Sequence, residues 1–277
     1  MPFFGYGSSK KEEAKNLPED KVILSESERE ALEQFNNRIN ELSKQRDSEH
    51  TEAALLRWLR ARKFDVDKAF DMYKEFLEWR EEKGIERLCL DDFGPILNTN
   101  AVSFMGEDKK GRMSIVIFPA RHTPGTMDCN ELEKLMAFVI EILATKMVKS
   151  EKITIVFDYD GWGLSCVDSN VDKVIMHVGQ NNYPERLGEA LLMRPPWYFS
   201  TVWSIIKVFL DEKTKNKFQM LKHMSELTEK FTPDNLLEKF GGNRKEQSLE
   251  DFLLAALNND RKMTLEQYHK SIERTTA

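Results

Sequence analysis

The chain has 277 residues, enough for one large domain or a small domain joined to a larger one, and its 40% hydrophobic and 32% charged residues are ordinary for a globular protein. A formal charge of −6 excludes a global basic field of the kind that holds nucleic acid, so contact with an anionic lipid or phosphate must come from a local basic cluster. Cys89, Cys129 and Cys166 are odd in number and lack a C-x-x-C spacing, which predicts free thiols. No histidine pair has metal-ligand spacing, and no metal site is expected.

Residues 1–24 are polar and lysine-rich, and read as a flexible arm. The start has no basic region followed by an apolar run, Pro2 excludes N-myristoylation, and no apolar stretch reaches the ~20 residues that span a bilayer. The expectation is a cytoplasmic protein that meets membranes reversibly. Ser25 or Ser27 caps a helix to about residue 44, with Leu32, Phe35, Ile39 and Leu42 on one face. A second helix spans roughly residues 51–62. Asp65 caps a third, whose Val66, Ala69, Phe70, Tyr73 and Leu77 keep helical spacing until Gly84. This helical unit covers residues 25–95.

The pattern then changes to alternating strands and helices over residues 96–245, which argues for an α/β domain with a mixed, largely parallel sheet. Ala101–Met105 and Met113–Phe118 flank a polar turn and read as a hairpin. Residues 130–149 are helical, 153–158 a strand, 171–178 a helix, 190–193 a strand and 218–221 a last strand. Trp197–Leu210 is apolar almost all round, so as a helix it is either buried or in contact with something apolar that comes and goes. Residues 246–277 read as a helical tail, whose leucines at 249, 253, 254 and 257 suggest an amphipathic helix that packs on the body or touches a membrane, packing being the preferred reading.

Two motifs suggest chemistry. Asp158-Tyr-Asp160-Gly161 after an apolar strand has the form of an aspartate-based, magnesium-dependent phosphatase nucleophile. Trp162 follows where such enzymes have Thr or Val, and the motif sits mid-chain, so a strand-end carboxylate pair is the preferred reading. Gly163-Leu-Ser165-Cys-Val167 lacks the last glycine of a hydrolase elbow, and no phosphate-binding glycine loop is present. No catalytic residue and no cofactor is expected.

Four stretches in register carry a family resemblance: Leu55-Leu-Arg-Trp-Leu-Arg-Ala-Arg-Lys-Phe-Asp65, Asn182-Tyr-Pro-Glu-Arg-Leu-Gly188, Phe209-Leu-Asp211 through Lys217, and Leu237-Glu-Lys-Phe-Gly-Gly242. Together they resemble the CRAL-TRIO lipid-binding family, and within it the yeast-type phosphatidylinositol/phosphatidylcholine transfer proteins. The resemblance implies a soluble carrier that encloses one lipid between a sheet floor and a mobile gate helix, here carrying Trp197, Val202, Trp203, Ile206, Phe209 and Leu210. It implies a phosphatidylinositol head-group site at Arg62, Lys63, Glu185, Asp211, Thr214 and Lys217, transient contact with membrane surfaces, and lipid kinases as partners. The chemistry suits it: Arg and Lys match a phosphodiester, and carboxylates accept from inositol hydroxyls.

The floor strand departs from that branch. Ile153 and Ile155 stand where the branch holds phosphatidylcholine with Ser and Thr, and by alternation they share a face with Phe157. Burying a phosphate without donors costs several kcal/mol, so phosphatidylcholine is a poor cargo. A sterol, tocopherol or retinoid is the alternative that suits such a floor. A closed pocket is in any case required of a carrier. A phospholipid in water exposes on the order of 30 methylenes at ~0.8 kcal/mol each.

Overall fold

The computed structural model describes residues 24–42, 51–147, 149–210 and 212–276. The arm, Asp211 and the side chain of Phe209 lie outside the described residues. Local chemistry sets the first three helices. α1 (Glu26–Asn40) starts with a reciprocal capping box: Ser25 Oγ accepts from the Glu28 amide, and the Glu28 carboxylate accepts from the Ser25 amide. Thr51 caps α2 (Glu52–Ala61) and Asp65 caps α3 (Val66–Lys83), which ends where Gly84 turns left-handed at φ +66°.

Trp58, Tyr73 and Phe76 pack edge-on and tilted at 5.0–6.2 Å between α2 and α3. This core does not close on itself. Phe76 and Trp79 meet Tyr183, and the buried Arg80 guanidinium donates to Glu141 at 2.5 Å, to the Tyr183 hydroxyl at 3.1 Å and to Glu86 at 2.6 Å. Glu141 lies on α4 (Cys129–Lys146), so the helical unit and the α/β part share one interior.

The sheet has six strands in the order β5-β4-β3-β2-β1-β6, with β1 (Val102–Met105), β2 (Met113–Ile117), β3 (Ile153–Asp158), β4 (Leu187–Met193), β5 (Phe218–Leu221) and β6 (Gln247–Ser248). β1 and β2 form the expected antiparallel hairpin, turned by Gly111 at φ +77° with Asp108 accepting from the Lys110 and Arg112 amides. β2, β3, β4 and β5 are parallel, and their crossovers carry α4, α5 (Ser169–His177) and α6 (Phe199–Ile206) over one face. The other face is covered by Leu227, Phe231, Leu236, Leu237 and Phe240. β4 begins three residues earlier than its apolar run suggests. β6, which no periodicity marks, pairs with the free edge of β1. From it the tail runs through α7 (Leu249–Ala256) and α8 (Leu265–Thr276), burying Leu249, Leu253, Leu257, Leu265 and Tyr268 in the shared interior.

The helix expected over residues 197–210 is shorter. α6 begins at Phe199, whose amide bonds to Pro196 O at 2.9 Å, and a tighter turn, Lys207–Phe209, follows it. Trp197 therefore precedes the helix, in the turn made by Pro195-Pro196, and stands 91% exposed. Among the described residues no helix is long and apolar enough to cross a membrane.

Candidate functional site

Between the sheet and its helices lies a cavity of about 270 Å3. Strand alternation builds its floor. Ile153, Ile155 and Phe157 of β3 face it beside Ile115 and Ile117 of β2, while Thr154, Val156 and Asp158 point to the opposite side. The strand's one hydroxyl, on Thr154, thus faces away and donates to Asp108 at 2.8 Å. α4 forms a wall with Leu135, Val139 and Leu143, and α5 another with Val171 and Ile175.

α6 is the roof. Phe199, Val202 and Ile206 look into the cavity, and Trp203 rests on Phe218 of β5 at 4.9 Å. Its outer side is apolar too. The exposed large apolar side chains among the described residues are Leu164, Val167, Trp197, Ile205, Val208 and Met220. All but Met220 belong to the roof, its flanking turns, or the loop after β3 that stacks Trp162 against Tyr198. Leu210, just past the roof, is buried.

Three of the expected head-group residues, Glu185, Thr214 and Lys217, lie at the N-terminal edge of β4 and β5. Glu185, held at φ +60° after Tyr183-Pro184, pairs with Lys213 at 2.7 Å and with Lys217 at 3.9 Å, and Thr214 lies in the turn between those lysines. Arg62 and Lys63 follow α2, with Arg62 donating to its neighbour's carbonyl at 3.2 Å and Lys63 exposed at φ +53°. No hydrogen bond or ion pair joins either to Glu185, though α2 reaches the same edge: its Arg57 pairs with Glu151, which also lies 3.9 Å from Arg186. None of these residues lines the cavity.

Asp158 is 1% exposed and engaged on both oxygens, by Arg194 at 2.5–3.0 Å and by Lys239 at 2.7 Å. Burial acts to raise its pKa, but the bonds from Arg194 and Lys239 outweigh it and hold the carboxyl below the usual range. Arg194 also reaches Asp160 at 2.9 Å, so the two aspartates anchor the chain where it leaves β4.

A second polar group, unmarked by any motif, lies at the far end of the cavity, where β2 and β3 finish. His122 Nε2 is 3.1 Å from Asp168 Oδ2, which also accepts from the Gly125 amide at 3.0 Å; its other oxygen caps α5 through the Asn170 and Val171 amides. These bonds, that from Gly125 first, bring Asp168 down to about 2. Asp172, one turn on, and Tyr159 also line the cavity. Burial, then the charge of Asp168, pushes the Asp172 carboxyl above its ordinary value, and burial does the same to Tyr159. An acid on the same helix as the cavity-lining Val171 and Ile175 is the sequence signal for this end. Among the described residues no cluster of three or more His, Cys, Asp or Glu could hold a metal ion.

The comparisons with known proteins agree with this architecture. Residues 97–242 match the family model described as CRAL/TRIO domain, and residues 24–86 match that of the CRAL/TRIO N-terminal domain. The chain is 34% identical over 199 residues to a CRAL-TRIO domain-containing protein of Schizosaccharomyces pombe, covering 68% of this chain and 45% of that one. It is 30% identical over 218 residues to the Sec14 cytosolic factor of the same organism, covering 69% and 74%. It is 27% identical over 250 residues to a phosphatidylinositol/phosphatidylcholine transfer protein of Arabidopsis thaliana, covering 80% and 42%. The chain thus spans under half the length of the first and third of these. Among solved structures, that of Sfh5 superposes with a TM-score of 0.63 at 17% identity over 92% of this chain and 99% of that one, a likeness of fold.

Proposed function

The chain belongs to the CRAL/TRIO family, and on that premise we propose that it is a lipid carrier that encloses one phosphatidylinositol and exchanges it at a membrane surface. The observation that carries this reading is the cavity: a void with an apolar floor and walls under a helix whose outer side is also apolar. Apolar surface left exposed on a soluble face costs free energy unless something covers it, and a bilayer covers it at the moment cargo must cross. Lipid transfer breaks no covalent bond, so the engaged state of Asp158 fits a structural carboxylate. On this reading the exchange takes place on the cytoplasmic side and is reversible, and the roof delivers lipid for use by a lipid kinase.

Glu185, Thr214 and Lys217, with Asp211 and the arginine and lysine at 62 and 63, are proposed to hold the inositol phosphate. The left-handed backbone of Glu185 supports this, since such strain in a non-glycine residue is retained where geometry matters. The Arabidopsis thaliana relative, named as a phosphatidylinositol/phosphatidylcholine transfer protein, is consistent with that cargo. Phosphatidylcholine is disfavoured because the floor offers no hydroxyl to its phosphate. The same apolar floor favours a second reading, in which the carrier takes a sterol, tocopherol or retinoid.

Native mass spectrometry of the purified protein tests the cargo, with stoichiometric phosphatidylinositol expected. Arg62→Ala with Lys217→Ala is expected to abolish its transfer while leaving the unfolding midpoint unchanged. Undiminished transfer by that double variant overturns the head-group assignment, and efficient phosphatidylcholine transfer overturns the argument from Ile153 and Ile155.

A further inference from the structure

A second pocket, of about 450 Å3, lies where the helical unit joins the α/β part, and it shares no lining residue with the cavity under the roof. Its walls are the end of α3, the tight turns Ile85–Arg87 and Leu90–Phe93, and the start of α4, which sends Leu132 and Leu135 to the cavity and Glu131 and Lys134 to this side. The tail fixes the turns: the Leu265 amide donates to Leu88 O and the Leu90 amide to Arg261 O, each at 3.0 Å. The charges around the pocket are only partly matched within the fold. Lys83 is engaged by Glu133 at 2.8 Å and by the Asn130 side-chain oxygen at 2.9 Å, which leaves the Asn130 NH2 group to donate. Asp92 accepts from the Cys89 amide at 2.9 Å through one oxygen. The Arg87 and Lys134 side chains have no hydrogen bond or ion pair with another described residue, and Glu131 Oε1 is buried without a partner. Opposite charges thus line one pocket without touching. Arg87 is folded over a bare backbone: Nη2 lies 2.8 Å from where a Cβ on Gly84 would stand, so the left-handed glycine that ends α3 also makes room for the guanidinium. A buried carboxylate oxygen without a donor is costly, and such groups normally have one.

We propose that this pocket binds a small, water-soluble phosphate monoester that also carries an amine, of which O-phosphoethanolamine is the simplest. The phosphate accepts from Arg87, Lys134 and the Asn130 NH2 group, beside the start of α4, where the helix dipole favours an anion. The ammonium donates to Glu131 Oε1 and to the second oxygen of Asp92. A simple anion leaves Glu131 unmet, and a simple amine leaves Arg87 and Lys134 unmet. An acyl chain finds only Leu88 and Phe93 as apolar lining, so a lipid is not the ligand here. The inference goes beyond the carrier function and holds whichever cargo the cavity takes.

The test titrates the full chain by isothermal calorimetry, at fixed ionic strength, with O-phosphoethanolamine, ethyl phosphate and ethanolamine. Phosphoethanolamine is expected to bind about tenfold more tightly than either half, the gain that charge-assisted hydrogen bonds at both ends supply. Arg87→Ala is expected to weaken it about tenfold while leaving the unfolding midpoint and lipid transfer unchanged, since the side chain is exposed. Glu131→Ala is expected to bring phosphoethanolamine down to the affinity of ethyl phosphate. Lys217→Ala is expected to leave binding unaltered; a loss there places the probe beside Glu185 and overturns the assignment to this pocket. sn-Glycero-3-phosphoethanolamine, whose diester carries the single charge of a lipid head, is expected to bind more weakly than the monoester, and tighter binding overturns the choice of a soluble ligand. No binding of phosphoethanolamine, equal binding of it and ethyl phosphate, or affinity unchanged in both pocket variants overturns the proposal.

Discussion

Replacing Trp197, Ile205 and Val208 together with serine removes most of the apolar surface on the outer side of the roof. The three are 91%, 63% and 74% exposed, so the change scarcely touches the interior. Weighted by exposure, complete coverage of these side chains by hydrocarbon is worth about 7 kcal/mol at ~25 cal/mol per Å2. A helix lying in the interface plane buries part of that area, and a third of it is roughly 2 kcal/mol. At about 1.4 kcal/mol per decade, the variant is expected to bind neutral phosphatidylcholine vesicles roughly 30-fold more weakly. Co-sedimentation with sucrose-loaded vesicles at physiological salt measures the partition coefficient directly, and the uncharged lipid keeps electrostatics out of the comparison. Thermal unfolding should be unchanged, since exposed substitutions of this kind fall within about 0.5 kcal/mol. A loss of binding under threefold refutes the roof as the membrane-facing element.

Two further outcomes concern the frame. Arg80→Met leaves Glu141 buried with its main partner gone and is expected to cost about 3–5 kcal/mol in urea unfolding, while Arg80→Met with Glu141→Leu recovers most of it; a single-variant loss under about 1 kcal/mol contradicts the shared interior. Asp168 titrates near 2 in the folded chain against an ordinary 3.8, so the stability it adds is present above about pH 4 and disappears as pH falls toward 2. The stability difference between wild type and Asp168→Asn should shrink across that window, and a difference independent of pH below 4 argues against the bonds from Gly125 and His122.

Much of the frame is legible in the sequence because its signals are local. Ser25, Thr51 and Asp65 announce helix starts within four residues, Gly84 announces an end, and the alternation of Ile153, Ile155 and Phe157 separates the floor from Thr154 on the reverse. β6 escapes such reading since two residues carry no period, and its pairing with β1 bridges more than 140 positions. The roof starts late for a related reason: proline permits a helix immediately after it, yet the Phe199–Pro196 bond closes a turn first. The polar end of the cavity is the hardest part to foresee. His122, Tyr159 and Asp172 lie on three separate segments, and only the parallel order of β2 and β3 brings their ends together.

The sheet under the cavity is tied by backbone hydrogen bonds across six strands, whereas among the described residues the backbone of the roof bonds only within itself and its adjoining turns, and the roof meets the floor through side chains. These two surfaces accordingly belong to different tiers of local stability. Amides of β3 and β4 are expected to exchange with solvent deuterium at the cost of global unfolding, and those of Phe199–Ile206 at the far smaller cost of lifting one short helix. Under the proposed carrier function, cargo exchange is expected to be a sub-global opening on the microsecond-to-millisecond scale. Asp158, Arg194 and Lys239 tie down the chain just before Pro195, where the stable sheet hands over to the weakly held roof.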